Sequence, residues 1–248
     1  MKILLSPAKK LDFSESISKI KTTPLFASQT EELVHKMKSL SAKKIGDLMH
    51  LSPALANLNY ERFQNYEQTT EVKQAILAFN GEVYSGLDAE NWSEEILQKS
   101  QDQIRILSGL YGILKPMDLI HAYRLEMGTS LPIKSKKNLY EFWKTTVTDT
   151  LLKELSKEEL IVNLASIEYS KVIDFKKIPN PMVEPVFKEF KNGDYKTIMV
   201  YAKKARGTMA KYIVHNNIDT KEQILDFNED GYAYNEALSS DQKPVFTR

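Results

Sequence analysis

The chain has 248 residues, 42% hydrophobic and 27% charged, with a formal net charge of +1. It can bury a large core, and its near-neutral balance excludes attraction to nucleic acid by overall charge, so any such binding has to come from clustering of its 34 basic residues. Cysteine is absent, which excludes disulfides, Cys-ligated zinc, iron–sulfur clusters and thiol catalysis, and fits a reducing cytoplasm.

In chain order, Met1 to Leu5 reads as a short buried strand stopped by Ser6-Pro7. Its apolar run is too short for a signal peptide, and no later stretch is long enough to span a bilayer, so a cytoplasmic protein without a membrane partner is expected. Residues 27 to 66 read as three helices. Leu33, Val34, Met37 and Leu40 share one face of the first, Ser41 caps the second, and Ser52-Pro53 opens the third. "TTEVKQAILAF" predicts a fourth, short helix and "SEEILQKSQDQIRIL" a fifth, with acids in its first turn.

After residue 105, "RILSGLYGIL" and "HAYRLEMGTSL" read as strands separated by a "KPMD" turn. "NLYEFWKTTVTDTLLKEL" is a helix, "LIVNLAS" a buried strand, and Ser166 a helix cap. Asn192-Gly193 between "MVEPVFKEF" and "YKTIMVYA" signals a β-hairpin. A long helix over "YAKKARGTMAKYIVHN" follows, then a short helix from Thr220, and "KPVFTR" is expected as an edge strand. No linker, repeat or low-complexity tract interrupts this order. The expectation is one α/β (mixed α+β) domain over residues 1–248, a central mixed sheet surrounded by helices, with a helical subregion at about 27–80.

The long helix carries the densest positive charge. Ala202, Ala205, Met209, Tyr212 and Ile213 form its apolar stripe; Lys203, Gly207 and Lys211 lie in a row on the opposite side, with Lys204 beside them and Arg206 nearby. A mid-helix Gly costs about 1 kcal/mol against Ala, which suggests that something comes close to the backbone there. From Tyr195 to Ile218 there is no Asp or Glu, so neutralisation has to come from acids brought in by the fold, from solvent or from a bound anion. The row reads equally as a solvated basic face or as an anion site.

Other chemistries lose their usual support. The four His, at 35, 50, 121 and 215, lack metal-ligand spacing, and there is no P-loop, dinucleotide-binding or nucleophile-elbow motif, so neither metal nor cofactor is expected. Gly109-x-x-Gly112 reads as a tight turn before a phosphate clamp. What remains is basic residues near strand ends. Lys9 and Lys10 follow the first strand, at the end where open α/β sheets bind ligands. Arg124 and Glu126 share one face if "YRLEMG" is extended, a way to fix a guanidinium for phosphate or simply a structural ion pair. Asn163, Ser166, Glu168 and Lys171 sit at a strand-to-helix junction that could hold an anion or could be a cap with a surface pair.

"ILLSPAKKLD", "FNGEVYSGL", "LSGLYGILKPMDLIHAYRLEMG", "NLASIEYSK", "YAKKARGTMAKYIV" and "FNEDGYAYN" occur in this order from residue 3 to about 234. In these segments the chain resembles the YaaA family of bacterial peroxide-stress proteins. The resemblance implies a cytoplasmic protein that protects against hydrogen peroxide, is associated with limiting intracellular iron, and binds duplex or distorted DNA through a positively charged cleft in an α/β fold with a helix-hairpin-helix-like element. The leading expectation is therefore a DNA-binding protective protein whose Lys9, Lys10, Arg124, Lys203, Lys204, Arg206 and Lys211 contact phosphates in one cleft, Gly207 letting a backbone come near. The rival is an enzyme acting on a small phosphorylated or nucleotide-like anion in the same cleft, with Glu126, Glu168 and Lys10 as acid–base candidates.

Overall fold

The computed structural model describes residues 1–15 and 18–248. In chain order, β1 (Lys2–Leu5) and β2 (Lys10–Leu11) lead into α1 (Ala27–Lys38), α2 (Ala42–Met49) and α3 (Pro53–Gln64). Short elements follow: β3 (Lys73–Gln74), α4 (Ala75–Ala78), β4 (Phe79–Asn80) and α5 (Glu82–Leu87), then α6 (Glu94–Gln103). The middle of the chain forms β5 (Ile104–Ser108), β6 (Gly112–Leu114), β7 (Leu119–Ile120), α7 (Leu139–Glu154), β8 (Ile161–Asn163) and α8 (Ile167–Ser170). The last part is β9 (Met182–Val183), β10 (Val186–Lys191), β11 (Asp194–Lys196), α9 (Met199–His215), α10 (Lys221–Leu225), β12 (Ala233–Tyr234) and β13 (Val245–Thr247).

The central sheet has the order β6-β5-β1-β8-β9; β1, β5, β8 and β9 run parallel and β6 is antiparallel to β5. Every residue of β1 and β5 is buried, as expected for apolar runs covered on both faces. Register pairs Leu5 with Ile106 and Leu4 with Asn163, so the carboxyl ends of β5, β1 and β8 stand side by side. The chain leaves β1 for β5 on one side and later returns to β8 on the other. That reversal places β1 at a topological switch point, where a crevice opens beyond the carboxyl ends.

A second sheet, β11-β10-β13-β12, packs its own aromatic core, with the Phe187 ring 5.7 Å from Phe246 and 5.3 Å from Tyr232. Lys191 pairs with Asp194 across Asn192 and Gly193, both at positive φ, the hairpin turn that Asn-Gly specifies. Ser41 and Ser52 accept the backbone N–H groups of Lys44 and Leu55, capping α2 and α3 as their sequence signals require. Only His50, Leu51 and Ser52 separate these two helices, which makes α2–α3 a helical hairpin on the surface.

Several elements differ from expectation. The fifth helix ends at Gln103, and Ile104–Ser108 forms β5, which pairs antiparallel with β6. "TTEVKQAILAF" is not one helix: buried Lys73 and Gln74 pair with β7, only four residues turn helical, and Phe79–Asn80 pairs with β2. "HAYRLEMGTSL" is extended only at its edges, because its alternating apolar residues are buried by a loop across the sheet end, not by a ladder. "KPVFTR" is an interior strand of the second sheet, between β10 and β12, since Val245 and Phe246 carry the aromatic core inward.

Gly207 does permit a close approach, and what approaches is α5. A Cβ on Gly207 would lie 1.8 Å from the Val83 carbonyl oxygen, and one on Gly86 would lie 2.1 Å from the Lys204 carbonyl oxygen. The two helices therefore cross glycine on glycine with their backbones in contact, and Gly207 is buried. This corrects the expectation that Gly207 admits a ligand. Gly207→Ala gains about 1 kcal/mol of helix propensity but forces α5 away, at about 3 kcal/mol or more of overpacking. Urea unfolding is expected to show a net loss of about 2 kcal/mol or more, with Lys203→Ala within about 0.5 kcal/mol of the parent. A neutral or stabilising Gly207→Ala would mean that the crossing is not tight.

Candidate functional site at the carboxyl edge of the central sheet

Beyond β1 the chain runs Ser6-Pro7, and beyond β8 it reaches Ser166. The Ser166 backbone N–H donates to Ser6 Oγ at 2.8 Å, and Ser6 Oγ donates to Ser166 Oγ at 3.2 Å. This bond ties the two strand ends together, which is why Ser166 precedes α8 without capping it through its side chain. From α5, the Tyr84 hydroxyl donates to the Ser6 carbonyl at 3.0 Å. At the end of β5, Ser108 Oγ lies 2.6 Å from the Tyr123 hydroxyl. Tyr84, Tyr123 and Tyr169 are all buried, and burial pushes each phenol's pKa up, with neighbouring tyrosines or carboxylates adding to the rise in each case. The floor of the edge is thus made of protonated phenols, which can donate hydrogen bonds and do not serve as bases near neutrality.

The charged side chains stand above this floor. Glu126 lies between two cations: Lys9 Nζ is 3.1 Å from Oε2, and Arg124 Nη2 and Nε donate to Oε1 at 2.8 and 3.1 Å. Arg124 and Glu126 share one side of the loop, as the alternation predicts. The pairs differ in exposure: the Lys9 side chain is 63% exposed and that of Arg124 17%. Glu168 accepts the Gly128 backbone N–H at 3.2 Å, and its carbonyl accepts the Tyr140 hydroxyl at 2.7 Å. Both carboxylates act on Tyr169, raising its pKa further, while a backbone hydrogen bond from Met127 partly offsets the rise. Lys9, Arg124, Glu126 and Glu168 therefore belong to one constellation drawn from the loop after β1, the loop after β7, and α8.

The α9 cations face elsewhere. Lys204 Nζ lies 3.4 Å from Asp230, and Lys211 Nζ donates to Asp88 at 2.8 Å; both pairs line a cavity of about 370 Å³ between α5, α9 and the 229–230 turn. The Lys211 hydrogen bond is the main reason the Asp88 carboxyl is held below its usual pKa. With Glu229 also present, this cavity holds three carboxylates against two ammonium groups. His215 at its rim has its pKa lowered by burial, then by Lys211 and Lys99. Arg206 is half-buried; burial lowers its pKa and the field of Glu184 opposes that, Glu184 itself accepting from Asn163 at the end of β8 at 2.8 Å. Among the described residues, Lys10 and Lys203 are exposed and have no ion-pair partner.

The expectation of one cleft lined by unbalanced cations is therefore corrected in part. Glu126, Asp230 and Asp88 neutralise four of the cations, and Arg206 faces Glu184. Sequence reading anticipated Glu126 but missed Asp88, Asp230 and Glu184, and also Ser6 and the phenols of Tyr84 and Tyr169. The only local trace of the latter is that Tyr84 lies in "FNGEVYSGL" and Tyr169 in "NLASIEYSK", beside residues already singled out.

The comparisons with known proteins cover the whole chain. Residues 1–238 match the family described as peroxide stress protein YaaA. A UPF0246 protein of Flavobacterium psychrophilum is 49% identical over 252 residues, covering 100% of both chains. Others from Saccharophagus degradans and Shewanella piezotolerans are 46% and 45% identical over 254 residues, covering 100% of this chain and 99% of theirs.

The buried phenols set the alkaline limit of this edge. A phenol whose folded pKa exceeds its unfolded value of about 10 contributes stability that is fully present below pH ~10 and is lost as pH rises through the folded value. Tyrosinate absorbance of Tyr84, Tyr123 and Tyr169 is expected to appear only with cooperative loss of structure above pH ~10, as single Tyr→Phe variants will show by subtraction. Ionisation of all three near pH 10 with the fold intact would contradict their burial.

Proposed function

We propose that this chain, which belongs to the family of peroxide stress protein YaaA, serves peroxide defence by binding a small phosphate- or carboxylate-bearing ligand at the carboxyl edge of its central sheet. The observation that carries this reading is the convergence of Lys9 and Arg124 on Glu126 at the switch point, beside the Ser6–Ser166 pair. The anion replaces Glu126 as the partner of Lys9. That exchange costs little, because an exposed ion pair is worth at most about 1 kcal/mol. Arg124 is less exposed and keeps its orientation through Glu126, so its remaining donors have a fixed direction. Glu168, held by the Gly128 N–H, is the group of this edge that can accept or deliver a proton to a bound ligand, and Lys10, next to Lys9 in the chain and free of an ion pair among the described residues, is a second candidate. Glu126 holds the cations.

A second reading is binding of DNA phosphates, the expectation that the family resemblance raised. The observation favouring it is that Lys43 and Lys44, on the first turn of α2 in the helical hairpin, are exposed and, like Lys10 and Lys203, have no ion-pair partner among the described residues. Contacts from these four lysines give a log–log salt slope of about −3 to −4 for duplex binding.

Titration calorimetry with inorganic pyrophosphate and adenosine monophosphate tests the first reading. Arg124→Gln is expected to weaken binding about ten-fold or more, the value of one charged hydrogen bond, while Lys211→Gln leaves it unchanged. Equal effects of the two substitutions, or no binding by either probe, would reject the carboxyl-edge site. Duplex binding with the four-contact slope, unaffected by Arg124→Gln, would favour the second reading.

A further inference from the structure

Away from both charged regions, a cavity of about 460 Å³ opens between α1, the segment after α3 and the β7 loop. Its walls are apolar: Pro24, Ala27, Val34, Val72 and Leu119 line it. Polar groups gather at one place, where the Tyr66 hydroxyl lies 2.9 Å from the Tyr111 hydroxyl and the His121 backbone N–H donates to Tyr111 Oη at 3.0 Å.

The direction of the Tyr66–Tyr111 bond follows from satisfying these groups. Tyr111 is 3% exposed, and its oxygen already accepts the His121 N–H. If Tyr66 were the donor, the Tyr111 proton would be buried with no acceptor, at a cost of about 1–3 kcal/mol. Tyr111 therefore donates to Tyr66, and the Tyr66 proton is left without a partner among the described residues. The His121 ring packs edge-on against Tyr66 with centroids 4.5 Å apart, and its Nδ1 lies 3.1 Å from the Glu71 carbonyl, which can only accept. Nδ1 thus carries the ring proton, and burial, which lowers the pKa of this imidazole, keeps the ring neutral. Nε2 then holds a lone pair, with no partner among the described residues.

An apolar slot of drug-like size is thus lined by one residue with an unused donor, Tyr66 Oη, and one with an unused acceptor, His121 Nε2, their ring centroids 4.5 Å apart. Glu31 and Glu67, both exposed, also line it; Glu67 is paired with Lys38 at 2.9 Å, so Glu31 is the carboxylate that disfavours an anion here. We infer that this cavity is a binding site for an uncharged, planar aromatic molecule bearing a carboxamide or ring lactam, whose carbonyl accepts from Tyr66 and whose N–H donates to His121. The site is separate from the carboxyl edge and does not depend on the anion reading.

The test uses backbone amide NMR of the full chain with three probes of one shape: benzamide, ethylbenzene and benzoate. Benzamide is expected to shift the amides of Ala27, Val34 and His121 saturably, with ethylbenzene about two- to ten-fold weaker, as expected for a neutral hydrogen bond, and benzoate not bound. Tyr66→Phe should bring benzamide down towards ethylbenzene and leave ethylbenzene unchanged, and Ala27→Trp, at the exposed start of α1, should abolish both by filling the slot. Shifts that are absent or fall elsewhere, benzoate binding equal to benzamide, or an unchanged benzamide-to-ethylbenzene ratio in Tyr66→Phe would overturn the inference. Because Tyr66→Phe removes only an oxygen, it decides the matter even if Ala27→Trp does not fold.

Discussion

Glu126 is the constraint around which the carboxyl edge is organised. A single carboxylate accepts from Arg124 and pairs with Lys9, two side chains brought together from distant parts of the chain. Without it, two like charges would be packed together over buried phenols, where repulsion is screened less than in water. With it, the edge is electrically balanced yet retains guanidinium and ammonium donors that a better acceptor can claim. On the proposed reading, the carboxylate that balances these cations is also the competitor that an anion displaces from Lys9.

The rest of the fold holds this arrangement in place. β1, β5 and β8 align their carboxyl ends, the Ser6–Ser166 pair closes the gap between two of them, and Tyr84 reaches Ser6 from α5. The position of α5 depends in turn on α9, because Gly86 and Gly207 let the two backbones touch. The basic helix thus has a structural task that its charges conceal. It fixes the helix that supplies a phenol to the site, and its Lys204 and Lys211 are neutralised by Asp230 and Asp88 around a separate cavity.

Much of this was legible from residues close in sequence. Ser41, Ser52 and Thr220 mark helix starts, Asn192-Gly193 marks a hairpin, and the alternation of Arg124 and Glu126 puts them on one side. Each depends on a local rule acting within a few residues. The family resemblance was also legible, because its segments span nearly the full chain. What stayed hidden depends on residues far apart. Lys211 meets Asp88, 123 positions away, and no window around α9 contains that acid. Gly207 announces a close approach, but whether a ligand or a helix approaches is decided by α5. The loop after β7 alternates like a strand because its apolar residues are buried, although loop packing buries them instead of a neighbouring strand.

The central claim is that Lys9 and Arg124 present an anion site at the sheet edge and that the lysines of α9 do not. The most direct measurement is an anomalous-scattering experiment on crystals soaked in selenate or tungstate, tetrahedral oxyanions that stand in for phosphate. The account predicts an anion peak within hydrogen-bonding distance of Arg124 and Lys9, with Lys9 turned away from Glu126. A peak confined to the cavity of Lys204 and Lys211, or an edge left vacant while anions gather along α9, would contradict it.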